Sequence, residues 1–210
     1  MRFIYSLLSI FTFFIASPAF AVDMIGHVSY LHGDVKITRD NGATSETLTS
    51  ESKIHLNDTI LTVNDSSQVE ITFIDNTTIE LSGADGSLVV DEYVYDVASP
   101  EKNKANYNIL KGSFKYVSGL LPKQNNNAQI NLDFGSIGIR GTTIFRAMKD
   151  HECWIYVEEG QIDVFNDGGK VSLGENDGTR MSARDVAPHD PKPWGQKNID
   201  WIKSTVARSE

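Results

Sequence analysis

The 210-residue chain carries 28 acidic against 19 basic side chains, a formal net charge of −9, and is 40% hydrophobic. That acidic balance lacks the basic footprint of a nucleic-acid-binding protein, so no nucleic-acid partner is expected. The length and the apolar share suit one packed domain, the default at this size.

The N-terminus reads as an export signal. Arg2 supplies a positive charge, residues 3–15 form a short apolar run, and Ala19, Phe20 and Ala21 make a small-x-small cleavage site. The run is shorter than the roughly 18–20 residues of a spanning helix, and no later stretch approaches that length. Cleavage after Ala21 removes one arginine and no acid, taking the charge from −9 to −10. Left uncleaved, the segment would act as an anchor; otherwise membrane association comes only through partners. The expected location is periplasmic or secreted, with a signal peptide at 1–21, a β domain at 22–195 and a tail at 196–210.

Period-two alternation dominates the chain beyond the signal. Strands are predicted at 25–38, 59–63, 68–73, 77–81, 88–95, 107–117, 142–148, 153–157 and 161–165. Val69, Ile71 and Phe73 share one face while Glu70 and Thr72 take the other. Asp75 and Asn76 then make a tight turn, and Ile79 and Leu81 continue the inward face, so 68–81 forms a β-hairpin. Gly83 and Gly86 mark another turn. Turn residues at Asn41-Gly42, Asn57-Asp58, Asn64-Asp65, Asp150-His151 and 166–169 separate the remaining strands, and 99–106 and 123–127 read as exposed loops. After Pro188 and Pro193, the helical spacing of Ile199, Ile202 and Val206 predicts a short helix in the tail. Gly33, Gly112 and Gly160 each separate an apolar approach from an apolar alternation. Their unequal spacing sets no repeat period but suggests stacked or wrapped β-turns.

Between residues 136 and 145, Gly138 and Gly141 flank Arg140 among β-branched residues. The pattern predicts a sharp corner between two strands, packed tightly at both glycines, with Thr142 and Thr143 in the second strand. The Arg140 stem is expected along the sheet, its guanidinium fork clamping a carboxylate or loop carbonyls. The functional alternative is an exposed cation that recognises an acidic group or a sugar hydroxyl. Cys153, the only cysteine, permits no intramolecular disulfide and is expected as a buried strand thiol.

No catalytic residue, metal or cofactor is expected. His27, His32, His55, His151 and His189 lack metal-ligand spacing, and 166–169 and 175–178 depart from calcium-loop patterns. No Gly-x-Ser-x-Gly elbow occurs, while a carboxylate pair for glycoside hydrolysis stays open because its acids can come from anywhere in the chain. Asn57, Asn64 and Asn76 match the glycosylation acceptor pattern and are read as turn residues. In 153–157 both faces are apolar, Cys153, Ile155 and Val157 against Trp154 and Tyr156. Such a strand is central in a wrapped core or part of a contact surface.

Five segments, in this order, resemble the FecR domain family: Leu56-Asn-Asp-Thr-Ile-Leu-Thr62, the hairpin 69–81 with its Asp75-Asn76-Thr77 turn, Leu110-Lys-Gly-Ser-Phe114, residues 137–145 with Arg140-Gly141-Thr142, and Val157-Glu-Glu-Gly-Gln-Ile-Asp-Val164. The cover is about residues 56–165. The resemblance implies an all-β envelope domain, β-solenoid-like or a wrapped antiparallel sheet, that binds an envelope protein or cell-surface component without catalysis. Gly138, Arg140, Gly141 and Thr142 are then the family signature, read as structural. Name-giving members place a sigma-factor-controlling cytoplasmic segment ahead of a membrane helix. This chain opens on an export signal instead, and is expected to be a stand-alone exported member acting in protein binding, assembly or signalling. The other class of function kept open is a carbohydrate- or peptidoglycan-binding module or surface structural subunit.

Overall fold

The computed structural model describes residues 24–39, 42–122 and 127–209; the export signal, Asn41 and positions 123–126 of the second predicted loop lie outside the described residues. The strands, in chain order, are β1 (Met24–His32), β2 (Val35–Arg39), β3 (Thr44–Thr47), β4 (Lys53–His55), β5 (Thr59–Thr62), β6 (Gln68–Phe73), β7 (Thr78–Val94), β8 (Lys104–Val117), β9 (Ala128–Leu132), β10 (Gly135–Ile139), β11 (Thr143–Lys149), β12 (Glu152–Glu159), β13 (Ile162–Asn166), β14 (Gly169–Leu173), β15 (Asp177–Met181) and β16 (Lys192–Pro193). One helix, α1 (Gln196–Ser204), comes after them. Among the described residues no helix is long and apolar enough to cross a membrane.

The predicted hairpin forms the centre. β6 and β7 pair antiparallel with Val69 opposite Leu81 and Ile71 opposite Ile79, all four buried. Its turn is tied from within. Asn76 takes a left-handed φ of 65°, and the buried Asp75 carboxylate accepts from the Thr77 N–H (3.1 Å), the Thr77 hydroxyl (2.7 Å), the Tyr93 hydroxyl (2.8 Å) and the Leu121 N–H (3.0 Å).

Two long strands then carry the sheet into two halves. The first part of β7 (78–82) lies between β6 and the second part of β8, whereas 87–89 lies between β5 and the first part of β8, to which β7 stays paired up to Val94. β8 likewise pairs with β9 through 105–108 and with β11 through 114–117. One half therefore runs β4-β1-β6-β7-β8-β11-β12-β15-β16 and the other β3-β2-β5-β7-β8-β9-β10-β13-β14. All pairings are antiparallel except β8 with β9. Inward residues of both halves, among them Ile37, Ile60, Leu88, Ile130 and Ile137 from one and Ile71, Phe114, Ile144 and Ile155 from the other, form a single buried core. Among the described residues the fold is an all-β, wrapped antiparallel sheet of 16 strands, unclosed, with one short C-terminal helix.

Several local expectations change. The strand predicted at 25–38 is two strands that turn at Gly33. The predicted turn at Gly83 and Gly86 is instead a bulge inside β7, where the register shifts between Ser82 and Ser87. Both long strands bend there, and a Cβ on Gly112 would lie 2.8 Å from the Gly86 Cα, so the glycines serve the close approach of two backbones. The 99–106 stretch holds a 3-10 turn at Pro100–Lys102 and the start of β8. β10 is the first strand of the predicted corner, whereas β9 is not among the predicted strands, because its outward residues Gln129 and Asn131 are amides of low β-propensity. In the fold these amides satisfy one another: Asn131 Nδ2 donates to Asn106 and Asn108 (2.8 Å each), and its Oδ1 accepts from Gln129 and Ser136.

The double-sided strand 153–157 finds its explanation outside the sheet. Cys153, Ile155 and Val157 of β12 face the main core, while α1 covers the opposite face. There Phe145, Ala147, Tyr156, Ile202 and Val206 form a second buried cluster. All three tryptophans gather at its edge, with Trp154 ring centroids 5.2 Å from Trp194 and 5.6 Å from Trp201.

Candidate functional site

Residues 140–142 do form a corner, joining β10 to β11. Gly141 supplies the left-handed φ of 73°. The corner is held from β8 and from the β12–β13 turn. The Thr142 N–H donates to Ser118 Oγ at 2.8 Å, the Ser118 N–H donates to the Thr142 carbonyl at 2.9 Å, and Thr142 is buried. Gly160, also left-handed at φ 85°, lies so close that an added Cβ would fall 2.1 Å from the Gly141 carbonyl oxygen. Gly160→Ala is therefore expected to destabilise by about 2–3 kcal/mol, from the wrong-handed φ plus the clash, as read by denaturant unfolding. A loss below about 0.5 kcal/mol would show that the corner yields freely.

Gly138 differs from the expectation for it. It lies in mid-β10, and a Cβ there would meet nothing nearer than Asp163 Cβ at 3.8 Å, an ordinary contact. Thr143 begins β11, whereas Thr142 stays in the corner.

Arg140 turns outward over β13. Its Nη2 lies 2.6 Å from Asp163 Oδ2, the same oxygen is 3.1 Å from Lys170 Nζ, and Ser172 Oγ donates to Oδ1 at 2.6 Å. Partial burial of Asp163 pushes its carboxyl pKa up, but the Ser172 hydroxyl, Lys170 and Arg140 outweigh that and hold it below the ordinary carboxylate value. The carboxylate is nearly buried, while both cations are about half exposed (51% and 57%), so one acid faces two cations at the surface of an acidic chain. Together with Gln161 and Gly174 they line an open cavity of about 340 Å³. Two half-exposed cations sharing one carboxylate leave donors that can accept a further carboxylate or other anionic group.

The lowered pKa has a definite sign. The stabilisation from Asp163 is fully present above the unfolded carboxylate value and is lost as pH falls through the depressed folded value. The stability gap between the wild type and Asp163→Asn is accordingly expected to be constant near neutrality and to close on acidification. A gap that widens in acid would contradict it. Arg140→Ala, by contrast, leaves Asp163 with Lys170 and Ser172, so the expected cost is only about 0.5–1 kcal/mol.

A different arginine carries the interior. Arg146, in β11, is fully buried. Its guanidinium donates to the Gly112 carbonyl at the bend of β8, to Cys153 Sγ (3.3 Å) and to Met148 Sδ (3.3 Å). Burial pushes the Cys153 thiol pKa up against the opposing effect of Arg146, so the sulfur is a packed acceptor. Alternation made 146 a strand residue, but nothing local marked it as an interior cation.

Turn chemistry accounts for the remaining sequence candidates. Asn57 and Asn76 adopt left-handed φ, and Asn166 Oδ1 accepts from the Gly168 and Gly169 N–H groups. Among the described residues no group of three or more His, Cys, Asp or Glu side chains is arranged to hold a metal ion.

A family model described as FecR protein matches residues 58–163, half of the chain and nearly the span of the five sequence segments. Two crystal structures described as a putative anti-sigma factor from Parabacteroides distasonis ATCC 8503 share the fold at 14% identity, each with a TM-score of 0.50. They align over 68% and 69% of this chain, which spans only 63% of the length of either. Comparison with curated proteins gives no match.

Proposed function

Because this chain belongs to the FecR protein family, we propose that it acts in the cell envelope as an exported, non-enzymatic module that binds another protein, in signalling or assembly. The observation that carries this reading is the outward cation pair, Arg140 from the family corner and Lys170 from β14, that meets at Asp163. β14 hydrogen-bonds to β13 alone among the described strands, so an extended segment of a partner can add along its other side while an acidic side chain meets the two cations. The anti-sigma description of the two similar structures agrees with a regulatory role, and the N-terminal export pattern with a periplasmic or secreted location.

The test is capture from envelope extracts by the wild type and by Arg140→Glu/Lys170→Glu at matched thermal stability. A defined protein retained by the wild type and lost with the charge reversal supports the reading. Retention on peptidoglycan or polysaccharide with no protein partner overturns it.

A further inference from the structure

Beyond α1 the chain turns back over the outer face of β6 and β1. The Gln68 side-chain amide grips it at two main-chain points: Nε2 donates to the Ala207 carbonyl at 2.7 Å, and Oε1 accepts the Ser209 N–H at 2.9 Å. The Tyr30 hydroxyl donates to the Ser209 carbonyl at 3.0 Å. One side chain thus offers both the donor and the acceptor that a neighbouring strand would offer.

Arg208, between those points, enters a box of matching chemistry. Its guanidinium carbon lies 4.6 Å from the Tyr30 ring centroid, Nη2 is 2.7 Å from Glu70 Oε2, and Nε is 3.6 Å from Glu80 Oε1. Glu70 and Glu80 stand directly opposite each other in the β6–β7 register, a like-charge pair that weakens a sheet unless a cation joins it. Glu80 is buried, and its Oε1 has no hydrogen-bond donor. Burial raises the Glu80 pKa, opposed by Arg208 and by Lys115 from β8. Ser29 Oγ donates to Glu70 Oε1 at 2.7 Å and so aims that carboxylate. A backbone-gripping amide, an acidic pair and an aromatic face recognise arginine in an extended segment, whether or not that arginine belongs to the same chain.

We propose that Tyr30, Gln68, Glu70 and Glu80 form a recognition site for an extended, arginine-bearing segment of a protein partner, and that residues 207–209 fill it in the free protein. The inference rests on the protein-binding reading above and names the partner's chemistry at a second face. The seated segment is short, and residues 207–209 are exposed. Its hold comes from three hydrogen bonds to the main chain, one ring contact and screened ion pairs, strengthened by the tether to α1. A partner segment therefore competes with a local occupant at high effective concentration, and the site opens most to proteins whose own arginine has been withdrawn.

The experiment uses the full chain and a fluorescent peptide with the sequence of residues 204–209, followed by anisotropy. Arg208→Ala is expected to bind the peptide about tenfold or more tightly than the wild type, because the tethered competitor has lost its anchor. Replacing the peptide arginine by glutamine should remove binding, as should Glu70→Gln or Gln68→Ala placed in the Arg208→Ala protein at an unchanged thermal transition. Equal affinity of the wild type and Arg208→Ala overturns the proposal, as does no binding by Arg208→Ala or equal binding of the glutamine peptide. A wild-type dimer that Arg208→Ala makes monomeric would assign the site to a second copy and also overturn it. The peptide titration needs no envelope extract, so its failure is distinct from failure of the capture experiment.

Discussion

Replacing Asp75 by alanine is expected to cost about 3–5 kcal/mol, a fall of roughly 6–20 °C in Tm for a chain of this size. Asp75 is fully buried, and its carboxylate is the common acceptor for Thr77, Tyr93 and the Leu121 N–H. Alanine leaves those donors without a partner inside the protein, which costs more than the bonds themselves contribute. The main chain adds to the constraint, since the Asp75 carbonyl accepts the Leu120 N–H at 2.8 Å and a Cβ on Gly119 would lie 2.3 Å from that same oxygen. The residue thus ties the β6–β7 turn to the segment after β8 and to the far part of β7. Asp75→Asn keeps the shape but sets an NH2 group against donors, so it should recover little of the loss. Urea unfolding followed by circular dichroism measures both variants. A cost below about 1 kcal/mol for alanine would mean that water replaces the carboxylate and that the turn is not a hub.

The second large effect is expected at Arg146. Arg146→Ala should cost about 3–4 kcal/mol, from the cavity it opens and from the Gly112 carbonyl it leaves without its donor. Arg146→Met is the informative partner. No carboxylate neutralises this buried cation among its hydrogen-bond partners, which are a carbonyl and two sulfurs. An apolar side chain of similar length refills the volume and removes a buried charge, a type of exchange that is often neutral or stabilising. The methionine variant is therefore expected to recover more than half of the alanine loss, read as a shift of the urea midpoint at constant m-value. If methionine is as damaging as alanine, the hydrogen bond to the bend of β8, and not the packing, holds the two halves together.

Much of the fold was readable from residues close together in sequence. The 68–81 hairpin comes from alternation and one turn, and the turn asparagines from their tolerance of left-handed φ. The terminal helix follows from apolar residues at helical spacing: Ile199 and Ile202 lie in it and Val206 just past it, with Ile202 and Val206 buried against the sheet. The family span read from five segments, 56–165, agrees with the matched 58–163. The failure at Gly83 and Gly86 has a tertiary cause. Gly83 and Gly86 look like a turn because glycine pairs usually are, yet β8 runs alongside β7 and bends with it, so the strand continues.

The arginines divide the two kinds of information most clearly. Glycines beside it drew attention to Arg140, and that corner exists; the flanking residues determine it because left-handed φ and close backbone approach are local demands. Arg146, Gln68 and Arg208 carry no local mark. Arg146 matters because β8 bends at Gly112 against β11, and Gln68 meets Ala207 at a separation of 139 positions in sequence. The sequence by itself determined the β class, the family, most of the turns and the helix, all encoded in the spacing of neighbouring side chains. Only the tertiary structure decided which faces are covered and which cations are buried, because burial and pairing depend on segments that the chain brings together after the local pattern is spent.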